Sequence, residues 1–409
     1  MEYRTKEIRM LEGTRRGNPR ACAAFGEREA RDTRRFHQSI PAYAPSRLVA
    51  LDCLARRCGV KGIYVKDEST RFGLKAFKGL GGSYAMFRIL CDRFGLDPAT
   101  ADLRDFQKAE IRRRCAAIRF VTATDGNHGK GVSWAARLFG CEANVYLPAG
   151  TVEARRKAIE EAGNAKAEIT AFSYDRTVAY AAKQAEENGW ILIQDTSWDG
   201  YEQYPKWIID GYLTLGAEAV EQLGGEAPTH VFLQAGVGAM AGGILAYLHN
   251  RYPQAPPIAV IAEPTQAACI YESVRIGDGE PHTVRDDGST IMAGLNCQTP
   301  CGVIWPILRD CAAFFCACED SVAERGMRAY ANPIGDDEPI VSGESGSVTL
   351  GLLLGILERD DLKNLLRLGK DSVILLLNTE GDTDPEGYRR VVGAQNADAQ
   401  QKCEEGVAE

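Results

Sequence analysis

Short apolar runs alternate with helical segments along this chain from Ile118 onward, which leaves few architectures open to it. The apolar runs read as strands, and they are IRFVT, ANVYL, EITAF, WILIQD, THVFLQ, PIAVIA and SVILLL. Strands that alternate with helices in this way favour parallel pairing, with helices covering both faces of the sheet. The sequence therefore predicts an α/β fold with doubly wound sheets.

Two breaks in this alternation, near residues 83 and 215, predict two α/β domains. Residues 83–215 would form a smaller domain inserted into a larger one, which would consist of residues 1–82 and 216–409. Because ligands of doubly wound sheets bind at the carboxyl ends of the strands, we expect the active site in the cleft between the two domains.

The remaining segments predict little regular structure. We expect an irregular polar segment up to Arg35, and an extended, proline-containing segment over residues 37–51 that enters a helix. Residues 280–345 are interrupted so often by Gly, Pro and Asp that only loops and short helices are predicted there. Residues 394–409 read as a frayed polar tail.

Charge and composition limit the kinds of molecule that this protein is expected to bind. The 409 residues carry a formal net charge of -8, with a pI near 5.4, which disfavours nucleic acid or an anionic membrane surface. No apolar run approaches the roughly 20 residues needed to span a bilayer, and the N-terminus lacks the apolar core of a signal peptide. We therefore expect a small-molecule ligand and no membrane partner.

The 13 cysteines are scattered and include no CxxC pair, so they read as mostly reduced thiols of a cytoplasmic protein. Cys297 and Cys301 are closely spaced, but no histidine lies near them to complete a zinc site, and we predict no metal. A redox pair of Cys269 with Cys297 stays open as an alternative.

Lys78 is the first candidate catalytic residue, because Gly79, Gly81 and Gly82 follow it at the predicted start of a helix. Glycines let the backbone come close to a flat or phosphorylated ligand. A lysine that is partly desolvated there can lose its proton and act as a nucleophilic amine. The alternative is an ordinary surface lysine, although Phe77 before it favours a buried position.

A second candidate is the loop TATDGNHGKG over residues 122–131, where a predicted strand gives way to a helix. It would expose backbone N–H groups beside the side chains of Thr124, Asp125, Asn127 and His128. The alternative is structural, with Asp125 as a helix N-cap and His128 as a packed ring.

A third candidate is the segment QAGVGAMAGG over residues 234–243, which lies between a strand and a helix. Backbone N–H groups at such a helix start bind phosphate. Glu263 closes the next predicted strand, where a dinucleotide-binding fold has its ribose-binding acid, so a nicotinamide-dependent oxidoreductase stays open as an alternative.

The late strand SVILLL is followed directly by Asn378 and Thr379. A buried strand could deliver either side chain to a ring nitrogen of a ligand. The sequence NTEGDTDP is equally typical of a turn.

Taken together, a lysine in FKGLGGS, a GNHG loop and a glycine-rich cradle resemble the tryptophan-synthase-like, fold type II family of pyridoxal-phosphate enzymes. Within that family, the segments KDESTRFGLKAFKGLGGSYA, ATDGNHGKGVSWAA, QDTSWDGY, QAGVGAMAGG, SGESG and TEGDTDPEGY are similar to diaminopropionate ammonia-lyases. The resemblance covers residues 35–390 and is most specific around Lys78.

The resemblance implies a pyridoxal 5'-phosphate cofactor, with Lys78 as the residue that holds it in a Schiff base. It places Asn127 at the 3-hydroxyl group of the cofactor and Asn378 or Thr379 at the ring nitrogen. The further cofactor-binding positions that it implies are Phe77, Gly236, Val237, Gly238, Ala239, Met240 and Gly242.

Asp125 departs from the serine that dehydratases of this fold usually have in a loop that binds the substrate carboxylate. An aspartate would attract an amine instead, which suits a substrate with a second amino group. The resemblance implies that Asp125 is a catalytic base and that Asp195, with Thr124 and His128, contacts the substrate. A structural alternative makes Asp195 the cap of the next helix.

The implied reaction is α,β-elimination of D- and L-2,3-diaminopropionate to pyruvate and two molecules of ammonia, catalysed by a homodimer. A serine or threonine dehydratase of the same fold is the nearest alternative. A protein that binds the cofactor and senses amino acids without converting them is a third.

Overall fold

The computed structural model describes residues 2–284 and 289–393, so the predicted tail over residues 394–409 lies outside the described residues. Two separate β-sheets organise this part of the chain. Helices pack on both, and the predicted α/β architecture is confirmed.

The larger sheet has eight strands in the order β1-β2-β11-β10-β9-β12-β4-β3. These strands are β1 (Glu2–Arg4), β2 (Ile8–Glu12), β3 (Arg47–Ala50), β4 (Gly62–Asp67), β9 (His230–Gln234), β10 (Ile258–Pro264), β11 (Phe314–Cys318) and β12 (Val373–Asn378). Its five inner strands are parallel to one another, whereas β1, β2 and β3 pair antiparallel at the two edges.

The smaller sheet has four strands in the order β7-β6-β5-β8, and every pair is parallel. Its strands are β5 (Arg119–Ala123), β6 (Glu142–Leu147), β7 (Ala165–Ile169) and β8 (Ile191–Leu192). All four come from the segment predicted as an inserted α/β unit.

Fifteen α-helices are found among the described residues. They are α1 (Pro19–Cys22), α2 (Glu27–Gln38), α3 (Asp52–Cys58), α4 (Lys78–Phe94), α5 (Ala109–Cys115), α6 (Asn127–Phe139), α7 (Glu153–Ala162), α8 (Tyr174–Asn188), α9 (Gln203–Gln222), α10 (Ala239–Arg251), α11 (Cys269–Ile276), α12 (Trp305–Cys311), α13 (Asp320–Ala331), α14 (Glu344–Leu357) and α15 (Asp360–Leu365). None of the helices in the described ranges is both long and apolar enough to cross a membrane.

The prediction of an irregular N-terminus is wrong. Residues Ile8–Glu12 form β2, which pairs with β11 and extends the large sheet, and α2 covers Glu27–Gln38. The side chains of Ile8 and Met10 alternate with less buried ones, so β2 follows the period of a strand with one face in the core.

The prediction of only loops and short helices over residues 280–345 is also wrong at one place. Residues Phe314–Cys318 form the fully buried strand β11, between β2 and β10. Five apolar residues in a row are enough for such a strand because neighbours on both edges supply its hydrogen bonds.

The start of α4 is fixed against the end of β12. The N–H of Phe77 donates to the carbonyl of Thr379 at 3.2 Å, and Ala76 forms an isolated bridge with Glu380. Helix α4 then packs closely against α9, since a Cβ atom on Gly81 would lie 2.6 Å from the ring of Tyr212. Lys78, as the first residue of α4, is thereby held at the carboxyl ends of the large sheet's strands.

A buried cluster of four charged side chains ties β4 and the turn after it to α9. Lys66 Nζ lies 2.6 Å from Glu218 Oε2, and Arg71 Nη2 lies 2.6 Å from the same oxygen. Arg71 also pairs with Glu68 at 2.7 Å, so two cations face two carboxylates. Burial would raise the pKa of Glu218, but Arg71 and Lys66 lower it to about 2.

We predict that Glu218→Gln destabilises the fold by roughly 3–5 kcal/mol, because it leaves Lys66 and Arg71 buried with a single carboxylate. The matched control is Glu221→Gln on the same helix, whose exposed carboxylate pairs with Arg34 and whose loss should cost under about 1 kcal/mol. Urea unfolding of both variants measures the difference. Equal unfolding midpoints would show that the cluster is not a stability determinant.

Candidate functional site

A large cavity lies where the carboxyl ends of strands from both sheets meet. Its volume is about 1140 Å³ including its open mouth. Segments that follow β5, β8, β9 and β12 line it, as does the start of α4. This is the position at which doubly wound sheets bind their ligands.

Most of the residues singled out in the sequence line this cavity. They are Phe77, Lys78, Thr124, Asp125, Asn127, His128, Asp195, Gly236, Val237, Gly238, Ala239, Met240 and Thr379. The structure thus brings together five segments that are far apart in the chain.

Lys78 and Asp195 form an ion pair across the cavity, with Nζ 2.6 Å from Oδ2. Burial alone would lower the pKa of Lys78, but the negative charge of Asp195 raises it above its ordinary value. Asp195 caps no helix, since the next helix, α9, begins at Gln203. Its carboxylate instead holds a protonated amine at a fixed place.

His128 lies on the other side of the same carboxylate. Its Nε2 is 2.9 Å from the carbonyl oxygen of Ile193, which can only accept, so Nε2 carries the proton. Its Nδ1 is then unprotonated and lies 3.8 Å from Asp195 Oδ2. Burial lowers the pKa of His128, and the neutral ring offers an acceptor to the cavity.

The loop before α6 is shaped by Thr124. Its Oγ1 accepts hydrogen bonds from the N–H groups of Gly126 at 3.0 Å and Gly129 at 3.1 Å. The N-cap of α6 is Gly126, so the side chain that accepts from these N–H groups is that of Thr124 and not that of Asp125. Gly126 has a φ of 152°, which favours glycine. The side chain of Asp125 is consequently free of any capping role.

The Asp125 carboxyl accepts no hydrogen bond from the residues that the structure describes, although it lines the cavity. Burial raises its pKa to about 7, and the charge of Asp195 adds to the effect, while Arg155 and Lys78 oppose it. A carboxyl with this pKa can accept or give up a proton near neutral pH.

Asn127 is held by Glu380, which follows β12. Asn127 Nδ2 donates to Glu380 Oε2 at 2.6 Å, and the other oxygen of Glu380 accepts from the N–H of Ser345 at 3.0 Å. Glu380 therefore connects the loop before α6 with the start of α14.

The segment over residues 236–240 leads into α10, whose N-cap Gly238 has a φ of 89°. The first N–H groups of a helix have no carbonyl partner within it, so those of α10 are available to an anion in the cavity. A Cβ atom on Gly236 would lie 3.0 Å from Cys297 Sγ and 3.3 Å from the carbonyl oxygen of Gly294. Gly236 therefore allows the segment of Gly294 and Cys297 to lie close against the residues that lead into α10.

Two predicted residues do not line the cavity. A Cβ atom on Gly242 would lie 1.9 Å from Ile304 Cγ1, so this glycine allows α10 to pack against the start of α12. Asn378 is fully buried and donates to Asp67 Oδ1 at 2.9 Å and to the carbonyl of Val341 at 3.1 Å. Of the two candidates for the ring nitrogen, only Thr379 has a side chain in the cavity lining.

Glu263 also lies away from the cavity lining. Its buried carboxylate accepts hydrogen bonds from the N–H groups of Ile270 at 2.8 Å and Tyr271 at 2.7 Å, at the start of α11. It is thus committed to the helix and is not placed to bind a ribose, which counts against the dinucleotide alternative.

Several lining residues were missed as site candidates in the sequence. These are Lys130, Arg155, Tyr174, Gln234, Cys297, Glu344, Ser345 and Glu380. Glu344 and Glu380 lie in the segments SGESG and TEGDTDPEGY, which carried the resemblance, and their charged side chains directly beside glycines were the available signal. Burial, with the nearby charge of Glu380, raises the pKa of Glu344 to about 7.

The polar atoms of the lining fit a bound cofactor with its own donors and acceptors. Three buried lining atoms have no hydrogen-bond partner among the described residues: His128 Nδ1, Gln234 Oε1 and Ser345 Oγ. Buried polar atoms are normally paired, so such a group indicates a missing polar ligand. No cluster of three or more His, Cys, Asp or Glu side chains in the described ranges is arranged for a metal ion.

Comparison with known proteins identifies a family. A sequence profile described as pyridoxal-phosphate dependent enzyme matches residues 40–380. Diaminopropionate ammonia-lyase of Escherichia coli K12 is 47% identical over 380 residues, which cover 92% of this chain and 94% of that protein.

Solved structures of a similar protein share the fold over nearly the whole chain. The Escherichia coli diaminopropionate ammonia-lyase in complex with D-serine matches with a TM-score of 0.88 and 45% identity, covering 94% of this chain and 97% of that one. Its complex with an aminoacrylate-PLP azomethine reaction intermediate matches with a TM-score of 0.85 and 45% identity, covering 95% and 97%.

We predict that Gly236→Val weakens binding of pyridoxal phosphate by about tenfold or more, because its side chain would press against Cys297 and Gly294 and shift the segment that leads into the α10 N-terminus. Absorbance titration with the cofactor measures the affinity. Gly369→Ala is the control, since a Cβ atom there would meet nothing within 4 Å. Unchanged affinity in the valine variant would mean that the phosphate binds elsewhere.

Proposed function

This chain belongs to the pyridoxal-phosphate-dependent enzymes, and we propose that it is a diaminopropionate ammonia-lyase that converts 2,3-diaminopropionate to pyruvate and two molecules of ammonia. The observation that carries the proposal is the placement of two aspartates, Asp125 and Asp195, around the amine of Lys78 in one cavity.

The lining supplies groups for each part of pyridoxal phosphate. Lys78 would bind its aldehyde, the N–H groups at the start of α10 its phosphate, Asn127 its 3-hydroxyl group and the Thr379 hydroxyl its ring nitrogen. When bound, the cofactor supplies an electron sink for a substrate carbanion. Thr379 Oγ1 accepts a hydrogen bond from Gln234 Nε2 at 2.9 Å, so its own proton is free to point at an unprotonated ring nitrogen.

The two aspartates favour a substrate that carries two amino groups. The pKa of the Asp195 carboxyl is lowered to about 2 despite burial, because the charged amine of Lys78 lies against it, so the group is ionised at neutral pH. Once the Lys78 amine is engaged elsewhere, this carboxylate can hold a substrate ammonium group at the same place. Asp125 offers a second carboxyl group, whereas serine or threonine would give it only a hydroxyl group to bind.

Proton transfer at the substrate α-carbon is assigned to Lys78 and Asp125. Both residues line the same cavity. We propose that each serves one enantiomer, with Lys78 on one face of the substrate and Asp125 on the other. This arrangement would let both D- and L-diaminopropionate react.

The direct test measures pyruvate and ammonia from D-diaminopropionate, L-diaminopropionate and serine with the purified, cofactor-loaded protein. We expect both enantiomers to give two ammonia per pyruvate, with a kcat/KM well above that for serine, and Lys78→Ala to abolish turnover. A higher kcat/KM for serine would identify a dehydratase instead. Cofactor binding without any product would identify an amino-acid sensor.

We predict that Asp125→Asn reduces kcat/KM at least about 100-fold for one enantiomer and far less for the other, because general-base catalysis typically contributes that much. With the native enzyme, kcat/KM for the affected enantiomer should fall as the pH drops below about 7, where the Asp125 carboxyl gains a proton. Initial rates measured with each enantiomer over a range of pH, for the variant and the native enzyme, test both expectations. Equal losses for the two enantiomers would make Asp125 structural.

We also propose the assembly and organisation that the family suggests. A homodimer in the cytoplasm fits the expectation from related enzymes, and light scattering of the purified protein measures the assembly. We propose a small domain of residues 83–215, which includes all four strands of the smaller sheet, inserted into a large domain of residues 1–82 and 216–409.

A further inference from the structure

The cavity is rich in carboxylates, yet any α-amino acid brings one more. Its lining contains Asp125, Asp195, Glu344 and Glu380, against the cationic side chains of Lys78, Lys130 and Arg155. A substrate carboxylate would be repelled by the four acidic groups unless one of the cations receives it. The three cations differ in how far they are already engaged.

Two of these cations have other commitments. Lys78 is paired with Asp195 at 2.6 Å. Lys130 Nζ donates to the carbonyl of Leu74 at 2.8 Å, and burial lowers its pKa, which weakens it as a partner for an anion. Lys78 is therefore neutralised by a carboxylate, and Lys130 is held against the backbone at Leu74.

Arg155 has no such commitment. It forms no ion pair with the described residues, and its only hydrogen bond among them is a long one, from Nη1 to the backbone carbonyl of Asp125 at 3.4 Å. Its half-buried side chain runs from α7 along the loop before α6, since a Cβ atom on Gly126 would lie 3.7 Å from Arg155 Cδ. The guanidinium group therefore lies at the cavity wall beside Asp125.

We propose that Arg155 binds the α-carboxylate of the substrate and thereby offsets the charge of Asp125. A guanidinium group can form two parallel hydrogen bonds with a carboxylate, which also fixes the orientation of the α-carbon. With this arrangement, Asp125 recognises the amine and Arg155 recognises the acid. The inference rests on the proposed function, because it concerns the substrate of that same site.

The neighbouring residue provides a matched control. Arg156, on the same helix, pairs with Glu153 and Glu160, each at 2.7 Å, and does not line the cavity. Arg156→Met removes the same charge from α7 without touching the site. Arg155→Met and Arg156→Met therefore separate a loss of local contact with substrate from a general loss of positive charge.

The experiment compares 2,3-diaminopropionate with its carboxamide, 2,3-diaminopropionamide, on cofactor-loaded protein. In the native enzyme and Arg156→Met, kcat/KM should favour the acid strongly. In Arg155→Met, kcat/KM for the acid should fall roughly 10- to 100-fold, mostly through KM, while that for the amide stays nearly unchanged, as for the loss of a charged hydrogen bond. The preference for the acid should then largely vanish.

A binding measurement complements turnover. Alanine has no β-leaving group, so its binding to the loaded protein can be followed by the visible spectrum without elimination. Arg155→Met should weaken binding of alanine but not of alaninamide, and should leave the affinity for pyridoxal phosphate unchanged.

Two results would overturn the inference. One is an acid-to-amide ratio that stays as in the native enzyme, whether or not both activities fall, and the other is a loss of cofactor affinity, which would place Arg155 at the phosphate. If the native protein formed no pyruvate, the proposed function itself would be refuted. This control is measured before any variant is made, so the two failures are distinguishable.

Discussion

The ion pair between Lys78 and Asp195 is the contact on which the site depends. It joins the first residue of α4, beside the larger sheet, to the segment that follows β8 in the smaller one. A buried amine without a partner would tend to lose its proton, whereas this pair holds the charged amine in one position. The ion pair thereby fixes the position of the two sheets relative to each other at the place where the cofactor must bind.

Glycine and apolar residues surround the few charged side chains of the site, because the backbone must pack closely around the pair of Lys78 and Asp195. Gly81 allows the close approach of α4 and α9, and Gly236 allows the segment of Gly294 and Cys297 to lie against the residues before α10. The polar ends of β5, β8 and β12 then supply Asp125, Asp195 and Thr379 to the same cavity. The polar groups of the site thus lie in loops and at helix starts, as Lys78 does at the start of α4, while the sheets and the rest of the helices provide a rigid frame.

The fold and much of the lining could be predicted because strand and helix periods are local, and the carboxyl ends of parallel strands converge. The strand β11 was missed because residues 280–345 were judged as a whole by their many Gly, Pro and Asp residues, although residues 311–318 within them form an unbroken apolar run. The contacts of Asn127 with Glu380 and of Lys78 with Asp195 join residues far apart in the chain, and no spacing rule reveals them. Gly242 was predicted to bind the cofactor, but it allows α10 to pack against Ile304. Both roles require a residue without a side chain, so the sequence alone does not distinguish them.

The assignment of Lys78 as the cofactor-binding lysine is tested most directly by locating the covalent attachment of the cofactor. The protein is loaded with pyridoxal phosphate, reduced with borohydride, digested and mapped by mass spectrometry. We expect a single modified lysine, Lys78, and a loss of that label in Lys78→Ala. Labelling of Lys75 or Lys130 in place of Lys78 would contradict it.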